Sequence, residues 1–213
     1  MQALYALLFL VGVSYVHGHG FMINPMARHA LWALPENQRP DNWWDRTFWD
    51  SQGVWCGDVP QDINFSNCGR CGDPPGRRDF ELNAVYGHPI ITGTYSAGQN
   101  IRVDLEFGAM HFGYVEFDLC PQEAENNNCF QSLILTGGSH RLRNNRQMCV
   151  PLDGTVTRRE FVNVQLPAGV RCTRCTLRWT YRTSYPGPAN WDPCFDHRQL
   201  AQTFRGCSNI RIN

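Results

Sequence analysis

The sequence predicts an all-β fold: an immunoglobulin-like or fibronectin-like antiparallel β-sandwich with long, disulfide-tied loops. Three observations predict it. The chain of 213 residues has the length of one globular domain. Its second half contains short runs of alternating polar and apolar residues separated by turn residues. Its 10 cysteines form an even set, as in disulfide-bonded secreted proteins.

The first 18 residues have the pattern of a secretory signal peptide. Residues 3–13 are apolar, and this run is too short for a membrane span. Val16 and Gly18 are suitable residues for positions −3 and −1 of a cleavage site, which predicts a mature chain beginning at His19. We therefore expect residues 1–18 to be removed, residues 19–213 to form one domain, and the protein to be secreted. No second apolar run follows, so we expect no membrane partner.

The segment of residues 24–80 is rich in Pro, Gly, Asn, Asp and Trp and has no sustained helix or strand period. It predicts long loops with a short helix near residues 28–32. An oxidising compartment favours five disulfides, whose pairing the sequence leaves open. The C-x-x-C pairs Cys68/Cys71 and Cys172/Cys175 raise zinc as an alternative, but their separation of about a hundred residues is unlike a structural zinc motif. The sequon at Asn64 is compatible with glycosylation.

Strand signals begin at residue 90. Residues 90–95 and 101–107 flank a turn and predict a β-hairpin with one wet face, because polar and apolar residues alternate strictly along the second run. Trp179 alternates with polar neighbours and is expected to face the core. The further predicted strands are residues 114–119, 132–136, 161–166, 176–183 and 210–212.

The charge pattern excludes several function classes. The formal net charge is zero and no basic stripe is present, so we expect no nucleic-acid partner. All 19 basic residues are arginines. Lysine Schiff-base chemistry and P-loop phosphoryl transfer are therefore excluded.

A chain that begins at His19 offers an α-amino group and an imidazole on one residue, and both can bind the same metal ion. Planar nitrogen ligands suit Cu(II). A third nitrogen must come from another histidine, and His111 is best placed because it lies between two predicted strands, beside a glycine. For the remaining histidines we expect ordinary surface or capping roles: His29, His88, His140 and His197.

Three segments carry a family resemblance: His19-Gly20-Phe21-Met22 with Pro25, residues 109–114, and residues 202–210. They resemble the signatures of lytic polysaccharide monooxygenases, most closely those of the invertebrate-type family active on chitin and cellulose. The resemblance implies a histidine brace in which His19 and His111 hold one copper ion per chain. It also implies that Phe204 lies at the axial side of the copper and that Ala109 flanks the open axial face.

The activity that the resemblance implies is oxidative cleavage of a β-1,4-linked polysaccharide surface, with chitin the first choice and cellulose the second. It requires an external electron donor and either hydrogen peroxide or dioxygen, and we expect a monomer. A hydrolase would need two carboxylates about 5 to 9.5 Å apart, and no sequence signature identifies such a pair. Glu116 and Asp118 share one strand face and are expected to be solvated charges.

Two other functions fit parts of the sequence. A secreted β-sandwich that binds polysaccharide without catalysis would keep the aromatics and disulfides, whereas a copper-binding protein on the same scaffold would keep the brace. Sugar rings stack on exposed aromatics, but large aromatics also fill cores, so both roles stay open for the tryptophans of the loop-rich segment. These are Trp32, Trp43, Trp44, Trp49 and Trp55.

Overall fold

The structure, a computed structural model, describes residues 19–58, 68–151, 157–184, 190, 192–195 and 202–213. Residues 1–18, the sequon at Asn64, and His197 lie outside these ranges. Within them, no helix is both long and apolar enough to cross a membrane. The strands are β1 (His19–Asn24), β2 (Trp55–Asp58), β3 (Ile91–Tyr95), β4 (Asn100–Ala109), β5 (Gly113–Cys120), β6 (Gln131–Ser132), β7 (Ile134–Gly138), β8 (Leu142–Arg143), β9 (Gln147–Val150), β10 (Arg158–Gln165), β11 (Cys172–Thr183) and β12 (Gln202–Ile212).

The strands form two sheets, which confirms the predicted sandwich. One sheet has the order β1-β4-β10-β7, and the other has the order β2-β12-β11-β5-β9-β8, with β3 on β12 and β6 on β5. Among the described strand pairs all are antiparallel except β3 with β12. The core lies between the sheets, where the apolar side of each alternating strand is buried.

Strand β4 has the alternation that the sequence predicts. Val103, Leu105 and Phe107 are fully buried, while the polar residues between them are exposed or half-buried. Trp179 is buried in the core, also as predicted. The expectation for Glu116 and Asp118 is wrong, because both are half-buried, and Asp118 accepts a hydrogen bond from Arg178 Nη2 at 2.9 Å.

The predicted hairpin of residues 90–95 and 101–107 is wrong. The turn between them forms, with the Gln99 N–H donating to the Ser96 carbonyl at 3.0 Å. However, β3 pairs with β12 of one sheet, whereas β4 lies between β1 and β10 of the other. The turn therefore carries the chain from one layer of the sandwich to the other, as connections in sandwiches commonly do.

The loop-rich first part contains three short 3₁₀ helices, at Leu31–Ala33, Glu36–Gln38 and Trp43–Arg46. The first overlaps the end of the helix predicted near residues 28–32. A buried ion pair fixes this region, because Arg28 Nη2 lies 2.8 Å from Glu125 Oε2 and both side chains are at most 2% exposed. Burial opposes ionisation of Glu125, but the hydrogen bonds and positive charge of Arg28, together with hydrogen bonds from Thr176 and the Leu82 N–H, outweigh it and lower the pKa of this carboxyl to about 2.

All ten cysteines are disulfide-bonded, which confirms the predicted framework. Cys68 and Cys71 bond to different partners, so the C-x-x-C pairs do not form a shared zinc site. The Cys71–Cys207 bridge ties the loop-rich segment to β12. The five pairs are Cys56–Cys68, Cys71–Cys207, Cys120–Cys129, Cys149–Cys194 and Cys172–Cys175.

Candidate functional site

The pairing of β1 with β4 brings the two predicted metal ligands to one edge of the sandwich. His19 begins β1 and pairs with Ala109 at the end of β4. His111 follows Ala109 by two positions, before β5 begins at Gly113. Both histidines are half-buried, and the Nε2 atom of His111 is itself buried.

The residue after His19 must be small. A Cβ atom at Gly20 would lie 2.7 Å from Cδ1 of the buried Phe107 ring, closer than packed carbon atoms approach. The Gly20 N–H also donates to the Gln52 carbonyl at 3.1 Å. Glycine therefore allows β1 to pack against β4 and to join the loop that contains Gln52.

The segment that contains His111 is attached to the end of β11. The Tyr181 hydroxyl accepts a hydrogen bond from the His111 N–H at 2.9 Å and also donates to the His111 carbonyl. Gly113 has φ +143°, and a Cβ there would lie 2.0 Å from the Arg182 carbonyl oxygen. Only glycine allows this close backbone approach.

Phe204 lies beside His19, and its axial role stays a prediction. Its ring centroid is 6.2 Å from that of His19 and 5.9 Å from that of Tyr181. Phe204 is 1% exposed. Phe204 is thus a core residue whose ring also borders the sheet edge that carries His19 and His111. Its side chain has no atom that could bind a metal.

A surface cleft of about 360 Å³ opens next to His19. Besides His19 it is lined by Trp32, Trp49 and residues 50–52. Trp49 is 65% exposed, and Trp44, which precedes it in the same segment, is 55% exposed. Trp32, Trp43 and Trp55 are half-buried. Residues 50–52 were not predicted from the sequence, in which the only local signal for them is the tryptophan-rich segment around them.

Polar contacts with β4 fix Gln52, one of the residues that line the cleft. Gln52 Nε2 donates to Glu106 Oε1 at 3.4 Å, and Arg159 Nε donates to Glu106 Oε2 at 3.1 Å. A Cβ at Gly108 would lie 1.8 Å from Gln52 Oε1, so glycine at this position makes room for the glutamine. The Glu106 carboxylate on β4 therefore already accepts hydrogen bonds from two side chains.

His29 also supports the cleft, and the expectation of a surface role for it is wrong. It is 1% exposed, and its Nε2 lies 3.1 Å from the Ser51 carbonyl oxygen. Burial disfavours the charged ring more than this hydrogen bond favours it, so the pKa of His29 is lowered from 6.5 to about 4. Nothing in its sequence neighbourhood indicates burial, because the rings that cover it, Phe21 and Phe80, come from other segments.

The buried, neutral His29 predicts acid-sensitive stability. Between pH 6.5 and about 4 the unfolded chain binds a proton at this residue that the folded chain does not, so stability rises with pH in this window. We expect the free energy of unfolding to fall by about 3 kcal/mol from this residue alone as the pH is lowered through the window.

Urea denaturation of the metal-free protein at several pH values measures this loss. The matched control is His29→Gln, which keeps an N–H donor for the Ser51 carbonyl but does not titrate. The prediction requires a shallower pH dependence in the variant. Equal slopes for the two proteins would contradict it.

Two other histidines have the ordinary roles expected of them. His88 Nδ1 accepts the Ile90 N–H at 3.2 Å, and His140 Nε2 lies 3.2 Å from Glu160 Oε2. In the part of the chain that the structure describes, no three His, Cys, Asp or Glu side chains are grouped so that they could hold a metal ion. The donors that the side chains offer at this edge are thus the two imidazoles of His19 and His111.

Comparison with known proteins supplies the family. The profile of the family "Lytic polysaccharide mono-oxygenase, cellulose-degrading" matches residues 19–210. A lytic polysaccharide monooxygenase AA15 from Thermobia domestica, solved in the Cu(I) state, is 29% identical, with a TM-score of 0.70 over 91% of this chain and 98% of that one. A lytic polysaccharide monooxygenase important for chitin utilisation in Cellvibrio japonicus is 14% identical, with a TM-score of 0.48 over 91% and 99% of the two chains. No protein with a curated description matches the sequence.

Proposed function

Since the chain belongs to the lytic polysaccharide monooxygenases of the invertebrate type, which are copper-dependent oxidoreductases, we propose that it is secreted and cleaves chitin oxidatively at a copper ion held by His19 and His111. The observation that carries this proposal is the pairing of His19 with Ala109, two positions before His111. Residues far apart in the sequence thereby share one surface edge.

The donor set fits copper. Removal of residues 1–18 would give His19 a free α-amino group, so this residue would supply two nitrogens and His111 a third. Reference pKa values of about 6.5 for imidazole and about 7.7–8.0 for the amine mean that a metal can displace their protons near neutral pH. Nitrogen donors of this kind suit copper, which binds most tightly of the divalent first-row metals.

The residues around the site would keep water and competing ligands away from one side. Phe204 presents a buried apolar ring next to His19. Copper, when bound, supplies the one-electron chemistry that activates dioxygen or hydrogen peroxide after reduction by an external donor. The chain would hold the copper through nitrogens of His19 and His111, and the Phe204 ring would exclude water beside His19.

Trp49 is the proposed contact for the sugar chain. Sugar rings present apolar faces that stack on aromatic rings, and Trp49 is both largely exposed and part of the cleft next to His19. The exposed Asp50 carboxylate beside it can accept a hydrogen bond from the N–H of an acetamido group, which supports chitin as the first candidate. Cellulose is the second candidate, because the family description names it.

Product analysis tests the proposal. We expect the copper-loaded chain starting at His19, with ascorbate and hydrogen peroxide, to release oxidised oligosaccharides from β-chitin in larger amount than from cellulose. Mass spectrometry identifies the oxidised ends. More oxidised product from cellulose would reverse the substrate order. No oxidised product from either polymer, with tight binding of polymer or of copper retained, would favour the binding module or the copper-binding protein.

Replacing Trp49 by alanine is expected to weaken chitin binding about fivefold, since one stacking face is worth about 1 kcal/mol. Trp44→Ala is the matched control, because Trp44 is similarly exposed but does not line the cleft. Binding isotherms on chitin measure both variants. A larger loss in Trp44→Ala than in Trp49→Ala would contradict the placement of the sugar chain.

A further inference from the structure

Tyr181 joins the candidate copper ligand to the core of the sandwich. Its hydroxyl accepts a hydrogen bond from the His111 N–H at 2.9 Å and donates one to the His111 carbonyl. From this double contact we propose that Tyr181 is a positioning residue that sets the direction in which the His111 side chain leaves the backbone. The inference rests on the proposed role of His111 as a copper ligand.

The geometry of the contact explains why one hydroxyl can restrain the backbone of His111. The N–H of His111 belongs to the peptide plane before its Cα, and the carbonyl belongs to the plane after it. Because peptide units are planar, only the φ and ψ angles of His111 relate these two planes. A hydroxyl bonded to both planes therefore restrains both angles, and with them the direction of the Cα–Cβ bond.

Tyr181 itself has little freedom to move. It is fully buried in β11, and its strand neighbours are Val115 on β5 and Phe204 on β12. Its ring stacks on that of Trp179 with centroids 6.3 Å apart, and it meets the ring of Phe107 edge to face with centroids 5.3 Å apart. Trp179 belongs to the same sheet as Tyr181, whereas Phe107 belongs to the other. The hydroxyl thus has a fixed position relative to both sheets.

Two neighbouring contacts also join the segment that contains His111 to the end of β11. The Ser184 N–H donates to the Phe112 carbonyl, and the backbone of Gly113 approaches the Arg182 carbonyl closely. The segment containing His111 therefore follows the end of β11 over three successive residues. The Phe204 ring, stacked on Tyr181, borders His19. Tyr181 therefore contacts both the segment that contains His111 and the Phe204 ring beside His19.

The test is Tyr181→Phe, which keeps the stacked ring and removes only the hydroxyl. Two lost hydrogen bonds predict about tenfold weaker copper affinity in calorimetry and changed copper hyperfine values in electron paramagnetic resonance. The matched control is Tyr95→Phe, because Tyr95 pairs with Ile212 at the far end of β12 from Phe204. We expect the control to bind copper as the unsubstituted protein does.

A merely structural role would lower the melting temperature of Tyr181→Phe but leave the spectrum and copper affinity of its folded fraction unchanged, and this result would overturn the inference. The unsubstituted, metal-free protein gives a second test that needs no variant. The contact predicts slow hydrogen exchange of the His111 amide, and exchange at the rate of an exposed amide would also overturn it. Loss of tight copper binding in His111→Ala verifies the ligand role separately, so failure of the proposed function is distinguishable from failure of this inference.

Discussion

Replacing His111 by alanine is expected to abolish oxidative cleavage and to weaken copper binding more than about 100-fold. Loss of residues that only orient ligands costs about 10–100-fold in metal affinity, and loss of a ligand itself costs more. The fold should survive, because His111 is half-buried at the surface edge and its backbone contacts with Tyr181 do not involve the imidazole. Calorimetric copper titration and product analysis on chitin measure the two losses.

The matched control is His140→Ala, which removes a half-buried histidine that contacts Glu160 away from the proposed site. It should retain both copper affinity and cleavage. Chitin binding by His111→Ala should also be retained, since Trp49 is unchanged. An unchanged copper affinity in His111→Ala would remove this residue from the ligand set.

Adding one residue before His19 is also expected to have a large effect on copper affinity and cleavage. The extra peptide bond converts the α-amine into an amide, which does not bind copper without losing its proton, and one of three nitrogens is lost. We expect copper affinity to fall by more than about 100-fold and cleavage to stop. The Gly20 contacts with Phe107 and Gln52 do not involve the α-amine, so the fold should be kept.

The control for the extension is the same preparation after a protease has removed the added residue. Regenerating His19 should restore copper affinity and cleavage together, which separates the chemistry of the amine from any damage during purification. Full activity in the extended protein would show that the amine is not a ligand.

The fold class was predictable because strand alternation is a local property. The buried and exposed sides of β4 follow directly from its residue order. The choice of partner strand is a tertiary property, and the error at residues 90–107 reflects this. A turn of four residues is compatible with a hairpin, but β3 packs on β12, whose residues lie more than a hundred positions away.

Part of the candidate site was predictable because it also depends on local residue order. His19, His111 and Phe204 lie in short segments with recognisable residue order, and the structure brings His19 beside both Ala109 and Phe204. The cleft was not predictable, because Ser51 is positioned by His29 and Gln52 by Gly20. Those contacts join residues that carry no pattern relating them in the sequence.

Electron paramagnetic resonance of the Cu(II)-loaded protein beginning at His19 distinguishes a histidine brace from other copper sites. The brace predicts an axial signal with coupling to three nitrogen nuclei, and the loss of one coupling when a residue precedes His19. An identical spectrum in the extended protein, or a signal without nitrogen coupling, would contradict the histidine brace.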